Sequence, residues 1–469
     1  MIQLTLQEIA EAIDGRFVAG DSEATLATVV SGESQTDSRE VTEGNIFFAR
    51  RGEDTDGHLF AGKAVEAGAA LLVVEREVDP RVPQIVVPEA TEALGALATE
   101  VVRRVRDAGE LTIVGITGSN GKTTTKNLVE AMAARLGTTV ASAKSFNNEV
   151  GGPLTMLRVE PDTRTLVAEM GASAEGEIAR LTAMAPPHIG VVLSVGLAHA
   201  GEFGGIDATF RTKSEMVRDL PESAVAVLNR DDPRVLKMAD LTSARVRWFG
   251  LHPEADVRAT DIDSSAEGTR FVLNIAGESL PVFFRVLGEH HVMNALAAAA
   301  VGTELGLPLA EIVVALESAT LAAPGRMEVL GGRDGITIIN DAYNASPDSM
   351  SAALRTLAQI RKPDGRTVAV LGAMSELGEH TIQEHIQVGL QAVRLRISEL
   401  VVVGKEARHL HISAINEGSW DGESVFFETQ DEAFDYLKDT LRANDTVIVK
   451  SSNAAGLQRL GDRLGETYA

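Results

Sequence analysis

Residues 115–126 read GITGSNGKTTTK. Small residues at this density let a backbone fold tightly, so that its N–H groups can point inward at phosphate oxygens. Lys122 can reach the β- and γ-phosphates of a nucleotide, and Thr123 can offer its hydroxyl to Mg²⁺. An apolar run, LTIVGI (111–116), precedes the loop. A helical pattern with Leu128, Met132 and Leu136 four apart follows it. Strand, loop and helix in that order direct a helix N-terminus at the anion. The expected chemistry is nucleoside triphosphate binding by Gly118, Ser119, Asn120, Gly121, Lys122, Thr123 and Thr124. The general pattern G-x-x-x-x-G-K-[ST] asks for glycine at 116, where this chain has Ile116.

Other residues have suitable chemistry but a weaker local signal. Glu169 ends the apolar run TLVAEM (165–170). A carboxylate at the C-terminal end of a parallel strand beside a phosphate loop can hold Mg²⁺, directly or through water. A strand-end acid facing solvent is the plainer reading. His199 stands in VGLAHAGEFGG (195–205) and Lys213 in FRTKSEMV (210–217). By themselves they read as a structural histidine and a solvated helix lysine. SFNNEVGGPLTMLR (145–158) is a polar loop with paired asparagines and a Gly-Gly-Pro turn. Arg326, in PGRMEVL (324–330), offers a planar cation for phosphate. Asp341 ends a further apolar run, GITIIND (335–341).

Thr-Gly-Ser-x-Gly-Lys-Thr-Thr-Thr resembles the phosphate loop of the Mur ligases and folylpolyglutamate synthetases. The other motifs resemble Mur ligase motifs in the same order, over essentially the whole chain. The resemblance implies that Thr123, Glu169, His199 and Lys213 serve two Mg²⁺ ions, with Lys213 carbamylated. It implies that Asn294, in GEHHVMNALAAAA (288–300), contacts adenine, and that Arg326 and Asp341 reach ATP when the C-terminal domain closes. Lys122, Lys213, His199, Asp341 and Arg326 would then carry catalysis.

The loop at 145–158 is similar to that of the dipeptide-adding branch of the family. By that likeness Asn147, Asn148 and Thr155 lie near a muramyl–peptide substrate. Tyr343 and Asn344, in INDAYNASPDSM (339–350), also fall at the substrate. QTDSREVTEGNIFFARRGEDTDGHLF (35–60) resembles the UDP-sugar-binding segment, through Asp37, Ser38, Arg39, Gly57 and His58. LGAMSELGEH (371–380) matches the M-x-E-L-G pattern. Two positions depart from the family: His291 stands where an asparagine is usual, and Lys450-Ser451-Ser452-Asn453 replaces Lys-Gly-Ser-Arg.

The implied activity is ATP-dependent amide ligation. D-alanyl-D-alanine would be joined to UDP-N-acetylmuramoyl-tripeptide through an acyl phosphate. Three rivals stand beside this reading. The ligase adding the third amino acid is disfavoured by NNEVGGPLT and DAYNASP. A folylpolyglutamate-type ligase is disfavoured by the UDP-binding-like N-terminal segment. A nucleotide switch without ligation leaves Lys213, His199 and Asp341 unexplained.

The elements that must position these residues read as α/β throughout. IFFA (46–49), ALLVVE (70–75) and QIVVP (84–88) are strand-like, and Thr91 to Arg106 has a one-faced helical pattern. Near the N-terminus, Thr5 and Glu8 form a capping-box pattern ahead of a short helix that Gly15 should end. From 111 onward, continuous apolar runs alternate with helical patterns, as a parallel sheet buried on both faces requires. Ser346-Pro347-Asp348 reads as the start of a helix.

Three domains are expected. They are a small α/β N-terminal domain (1–108) for the UDP-sugar, a central P-loop-type α/β ATPase domain (109–323) with a mostly parallel sheet, and a C-terminal Rossmann-like α/β domain (324–469). The last would close on ATP and bind the incoming dipeptide.

The 469 residues suffice for several cores, and the net charge is −24. Such acidity argues against a nucleic-acid partner, which needs basic excess. The absence of cysteine rules out disulfides, zinc–thiolate sites, iron–sulfur clusters and a cysteine nucleophile. No apolar run approaches a membrane span, and the N-terminus lacks a signal-peptide pattern. A cytoplasmic monomer is expected.

Overall fold

The computed structural model describes residues 1–52, 55–143, 146–196, 205–319, 324–417 and 420–469. Its frame is three larger sheets, each mostly parallel. The first runs Arg16–Val18, Gln84–Val86, Leu71–Val74, Ile46–Phe48, Ser34–Gln35, and only its first pair is antiparallel. The short apolar runs at 46, 71 and 84 therefore lie side by side. A separate antiparallel pair, Leu4–Thr5 with Val29–Val30, stands beside this sheet.

The helix Leu6–Ala12 starts as its residues dictate. Thr5 Oγ1 accepts from Glu8 N–H, and Glu8 returns a carboxylate oxygen to Thr5 N–H at 2.8 Å. Its end differs from expectation. Asp14, at φ +48°, makes the left-handed turn, while Gly15 is required by packing: a Cβ there would lie 2.2 Å from Ile85 Cγ2.

The helix Ala90–Ala108 links this unit to the next. Leu94, Leu97, Val101 and Val105 are buried on one face. Its core runs without a break from Leu4, Ile9 and Ile46 on one side to Ile113, Leu166 and Val192 on the other. Burying each such side chain contributes about 1.5–3 kcal/mol.

The central sheet has the order Thr139–Ala141, Thr165–Glu169, Thr112–Thr117, Ile189–Val192, Val225–Asn229, Arg245–Gly250, Val257–Ser265, Gly268–Ile275, Glu278–Phe284. All pairs are parallel up to Val257–Ser265, and the last two are antiparallel. Helices cover both faces, which is why the parallel strands are apolar without alternation. Ile113, Leu166 and Val192 face Ala90–Ala108 and the residues Met216 and Val217. Val114, Val167 and Val191 face the helices Lys122–Ala133 and His290–Glu304.

The antiparallel strands have a two-residue burial period instead. A search for continuous apolar runs passes over them. The loop helix is shorter than its apolar spacing predicts. It ends at Ala133, so Leu136 lies beyond it and is 45% exposed.

The third sheet runs Glu328–Leu330, Thr337–Asn340, Thr446–Lys450, Thr367–Leu371, Glu399–Val403, Glu423–Phe427, parallel except for its first pair. The helix Pro347–Gln359 begins as its sequence predicts, with Ser346 as N-cap and proline in the first turn. Among the described residues, no helix is long and apolar enough to cross a membrane.

Candidate active site

The phosphate loop joins the strand Thr112–Thr117 to the helix Lys122–Ala133. Its path depends on two glycines. Gly118 has φ +152° and Gly121 φ +83°, and a Cβ on Gly121 would come within 2.2 Å of Asn294 Oδ1. Lys122 folds back over the loop and donates to Gly118 O at 2.8 Å. Burial, aided by the Arg326 charge, lowers its pKa, and Glu169 opposes the shift.

The neighbouring strand Thr165–Glu169 brings Glu169 alongside, where it is buried. Thr123 Oγ1 donates to its Oε2 at 2.9 Å, and Asn147 Nδ2 to its Oε1 at 2.8 Å. Its backbone N–H donates to Ser142 Oγ. The carboxylate is thus oriented and next to the loop. Glu169 therefore is not a strand-end acid facing solvent.

A cleft of about 500 Å³ opens over the loop. The central unit contributes residues 119–124, Asn147, Glu169 and Asn294. The C-terminal unit faces them with Arg326, Asp341, Tyr343 and Asn344. Arg326 lies over the Tyr343 ring at 4.2 Å, which aims its guanidinium. Asp341 is held twice. Its Oδ1 accepts from Met327 N–H at 3.0 Å, and its Oδ2 accepts from Lys450 Nζ at 2.7 Å. Lys450 also donates to Asn344 O.

His290 and His291 enter the cleft at the start of the Ala-rich helix, their rings 4.1 Å apart. Burial keeps both neutral, lowering His290 to about 4 and His291 well below its ordinary value. Asn294 Nδ2 lies 3.1 Å from His291 Nδ1, and His291 Nε2 has no partner among the described residues.

The remaining predicted residues lie outside this cleft. Lys213 is buried on the helix Ile206–Arg218, so the solvated-lysine reading fails. Burial first, then the Lys122 charge, bring its pKa down to about 7, against Glu215 and Glu177. Asn148 Oδ1 accepts from Val150 and Gly151 N–H just ahead of the short helix Gly151–Met156. Thr155 Oγ1 donates to Gly151 O inside that helix.

In the N-terminal unit, Asp37 and Arg39 form a two-pronged ion pair just past the strand Ser34–Gln35, with Ser38 between them. Gly57 and His58 begin the turn Gly57–Phe60. Both His58 ring nitrogens are used inside the protein: Nδ1 meets Asp56 Oδ1 at 2.6 Å, and Nε2 accepts from Glu75 N–H at 2.8 Å. The imidazole therefore holds the turn. His199 lies outside the described residues.

Motif reading passed over Lys450, His290, Phe249 and Arg355 as site residues, although all line the cleft. Lys450 carried a usable signal. It ends the buried strand Thr446–Lys450 as Glu169 ends its own strand.

Residues 34–102 match the Mur ligase family catalytic domain, 116–302 the Mur ligase middle domain, and 325–453 the Mur ligase glutamate ligase domain. The UDP-N-acetylmuramoyl-tripeptide–D-alanyl-D-alanine ligase of Mycobacterium tuberculosis (strain ATCC 25618 / H37Rv) is 42% identical, covering 99% of this chain and 98% of its own.

The chain belongs to the Mur ligase family.

The Escherichia coli (strain K12) protein of the same name is 33% identical to this Mur ligase, covering 99% of each chain. Among solved structures, MurF from Acinetobacter baumannii superposes with a TM-score of 0.89 at 31% identity, covering 99% of both chains. MurF from Thermotoga maritima, solved in complex with ADP, superposes at 0.81 and 27% identity, covering 93% of this Mur ligase and 97% of that chain. The α/β fold in three domains is therefore that of the family.

Proposed function

We propose that this Mur ligase joins D-alanyl-D-alanine to UDP-N-acetylmuramoyl-tripeptide at the expense of ATP, giving the UDP-muramyl pentapeptide, ADP and phosphate. The observation that carries the reading is the single cleft in which the phosphate loop faces Arg326 and Asp341. Full-length likeness to ligases of that name supports the substrates.

A carboxylate is a poor electrophile, so the tripeptide's terminal carboxylate oxygen first attacks the γ-phosphorus. ADP leaves and an acyl phosphate forms. The dipeptide amine then attacks the acyl carbon, and the tetrahedral intermediate expels phosphate as the amide forms. No protein side chain is needed as a nucleophile. The protein positions the reactants and neutralises charge. Lys122 and the loop N–H groups hold the phosphates, with Gly118, Ser119, Asn120, Gly121, Thr123 and Thr124 shaping the loop. Arg326 meets the phosphate charge from the opposite wall. Asn294 takes the adenine.

Thr123 and Glu169 offer adjacent oxygens beside the loop, a donor pair that suits Mg²⁺, which usually completes its shell with phosphate and water. Bound there, Mg²⁺ supplies positive charge to the phosphate oxygens. Lys213 and His199 would serve a second ion. A buried lysine with its pKa near 7 keeps a neutral amine available, as carbamylation by CO₂ requires, and the carbamate would give it ligand oxygens. Residues 1–108 take the UDP-sugar through Asp37, Ser38, Arg39 and the turn at Gly57 and His58. Residues 109–323 hold ATP, with Asn147, Asn148 and Thr155 toward the muramyl peptide. Residues 324–469 close on ATP and present the dipeptide near Tyr343 and Asn344. The enzyme acts as a monomer in the cytoplasm.

The test is phosphate release from ATP with UDP-muramyl-tripeptide, with and without D-alanyl-D-alanine. Release that needs both, with a product heavier by one dipeptide less water, establishes the reaction. Release with a single amino acid or a folate instead would overturn the substrate assignment.

A further inference from the structure

Two adjacent loop residues, Ser119 and Asn120, turn their side chains toward other chain segments. Ser119 Oγ accepts from Gly196 N–H at 2.8 Å and lies 3.3 Å from Gly196 O. Asn120 Oδ1 accepts from Ser346 Oγ at 3.2 Å, a contact between residues 226 positions apart.

Ser346 is the N-cap of the helix Pro347–Gln359, in the C-terminal unit. Its hydroxyl oxygen accepts from Ser349 N–H, completing the capping box. A hydroxyl has one proton to give, and with that lone pair occupied the proton goes to Asn120. Ser346 is buried. Two residues further on, Asp348 seats against Gly196. A Cβ on Gly196 would lie 2.3 Å from Asp348 Oδ2. Among the described residues, the C-terminal unit therefore meets the phosphate loop at Asn120 and the adjoining segment at Gly196, which Ser119 holds. The same helix start lines the cleft through Asp348 and Ser349.

We propose that Asn120 is a positioning residue whose side-chain carbonyl docks the Ser346 helix cap on the phosphate loop, setting the C-terminal unit and its Arg326 over the bound nucleotide. The inference rests on the reading of the cleft as an ATP site. It gives the Asn120 side chain a task other than holding phosphate.

The experiment compares wild type, N120A, S346A, S346T and N120A/S346A by steady-state kinetics, ATP affinity and small-angle scattering with ATP and UDP-muramyl-tripeptide. Small misplacements at a reacting centre cost rate, so N120A and S346A should each lower kcat about tenfold, with KM for ATP within about twofold of wild type. Both should show a smaller ligand-induced decrease in radius of gyration. S346T, which keeps the hydroxyl, should restore both readouts. The double variant should be no worse than S346A, because S346A has already removed the contact that N120A removes.

S349A weakens the capping box without touching Asn120, so its effect should add to that of N120A. That separates docking from helix capping. A rise in KM for ATP in N120A with S346A unchanged would return Asn120 to phosphate binding and overturn the proposal. So would additive effects of N120A and S346A. Failure of the substrate reading would appear in the wild type as absent ligation. The scattering comparison with ATP alone would still decide docking.

Discussion

Thr123 donates its hydroxyl to Glu169 Oε2 at 2.9 Å, so the phosphate loop and the end of the adjacent strand are joined through one carboxylate. Asn147 holds the other oxygen of that carboxylate at 2.8 Å. The three residues come from separate stretches of chain, and parallel pairing of Thr165–Glu169 with Thr112–Thr117 sets Glu169 opposite Ile116, beside the loop that leads to Thr123.

Lys122→Ala should leave the fold intact and lower ligation by about 10²–10³, the range for losing one preorganised charge-stabilising group. Circular dichroism melting checks the fold and phosphate release checks the rate. Normal turnover by a folded variant would remove Lys122 from the phosphate site.

Lys213→Ala should be inactive and partly rescued by short-chain carboxylates, which can stand in for carbamate oxygens. Activity close to wild type, with no response to added carboxylate, would remove the carbamate assignment.

Lys450→Met should destabilise the protein by about 3–5 kcal/mol, because it leaves Asp341 without its buried partner. Urea unfolding measures the loss. An unchanged midpoint would mean that another cation replaces Lys450.

Glu8 provides a pH signature. The Thr5 backbone N–H first, then Arg104 and the Thr5 hydroxyl, lower its pKa from 4.5 to about 2. A depressed carboxyl stabilises fully above its unfolded value, and the contribution is lost as pH falls through the folded value. The stability gap between wild type and Glu8→Gln should therefore be constant above pH 5 and shrink between pH 4.5 and 2. A gap independent of pH over that window would show that the charge contributes nothing.

Local chemistry made much of the fold legible. Continuous apolar runs at 112, 165, 189 and 225 read as strands buried on both faces, and they are. Thr5 with Glu8, and Ser346 with Pro347, announced their helices because capping is settled within four residues. Spacing misled at Leu136, which continues the four-residue pattern past the end of its helix at Ala133. The antiparallel strands from 257 to 284 were not visible as apolar runs, since only alternate residues are buried.

The sequence by itself determined the phosphate loop, the alternation of buried parallel strands with helices, and the residue types able to hold phosphate. All of these depend on neighbours within a few positions. Tertiary structure decided what each side chain has left to offer. It buried Lys213 beside the charge of Lys122, used both nitrogens of His58 inside a turn, and paired Lys450 with Asp341 across two parallel strands. It also set Ser346 against Asn120. Burial and long-range pairing set charge state and hydrogen-bond capacity, and both depend on residues far apart in the chain that only the folded structure brings together.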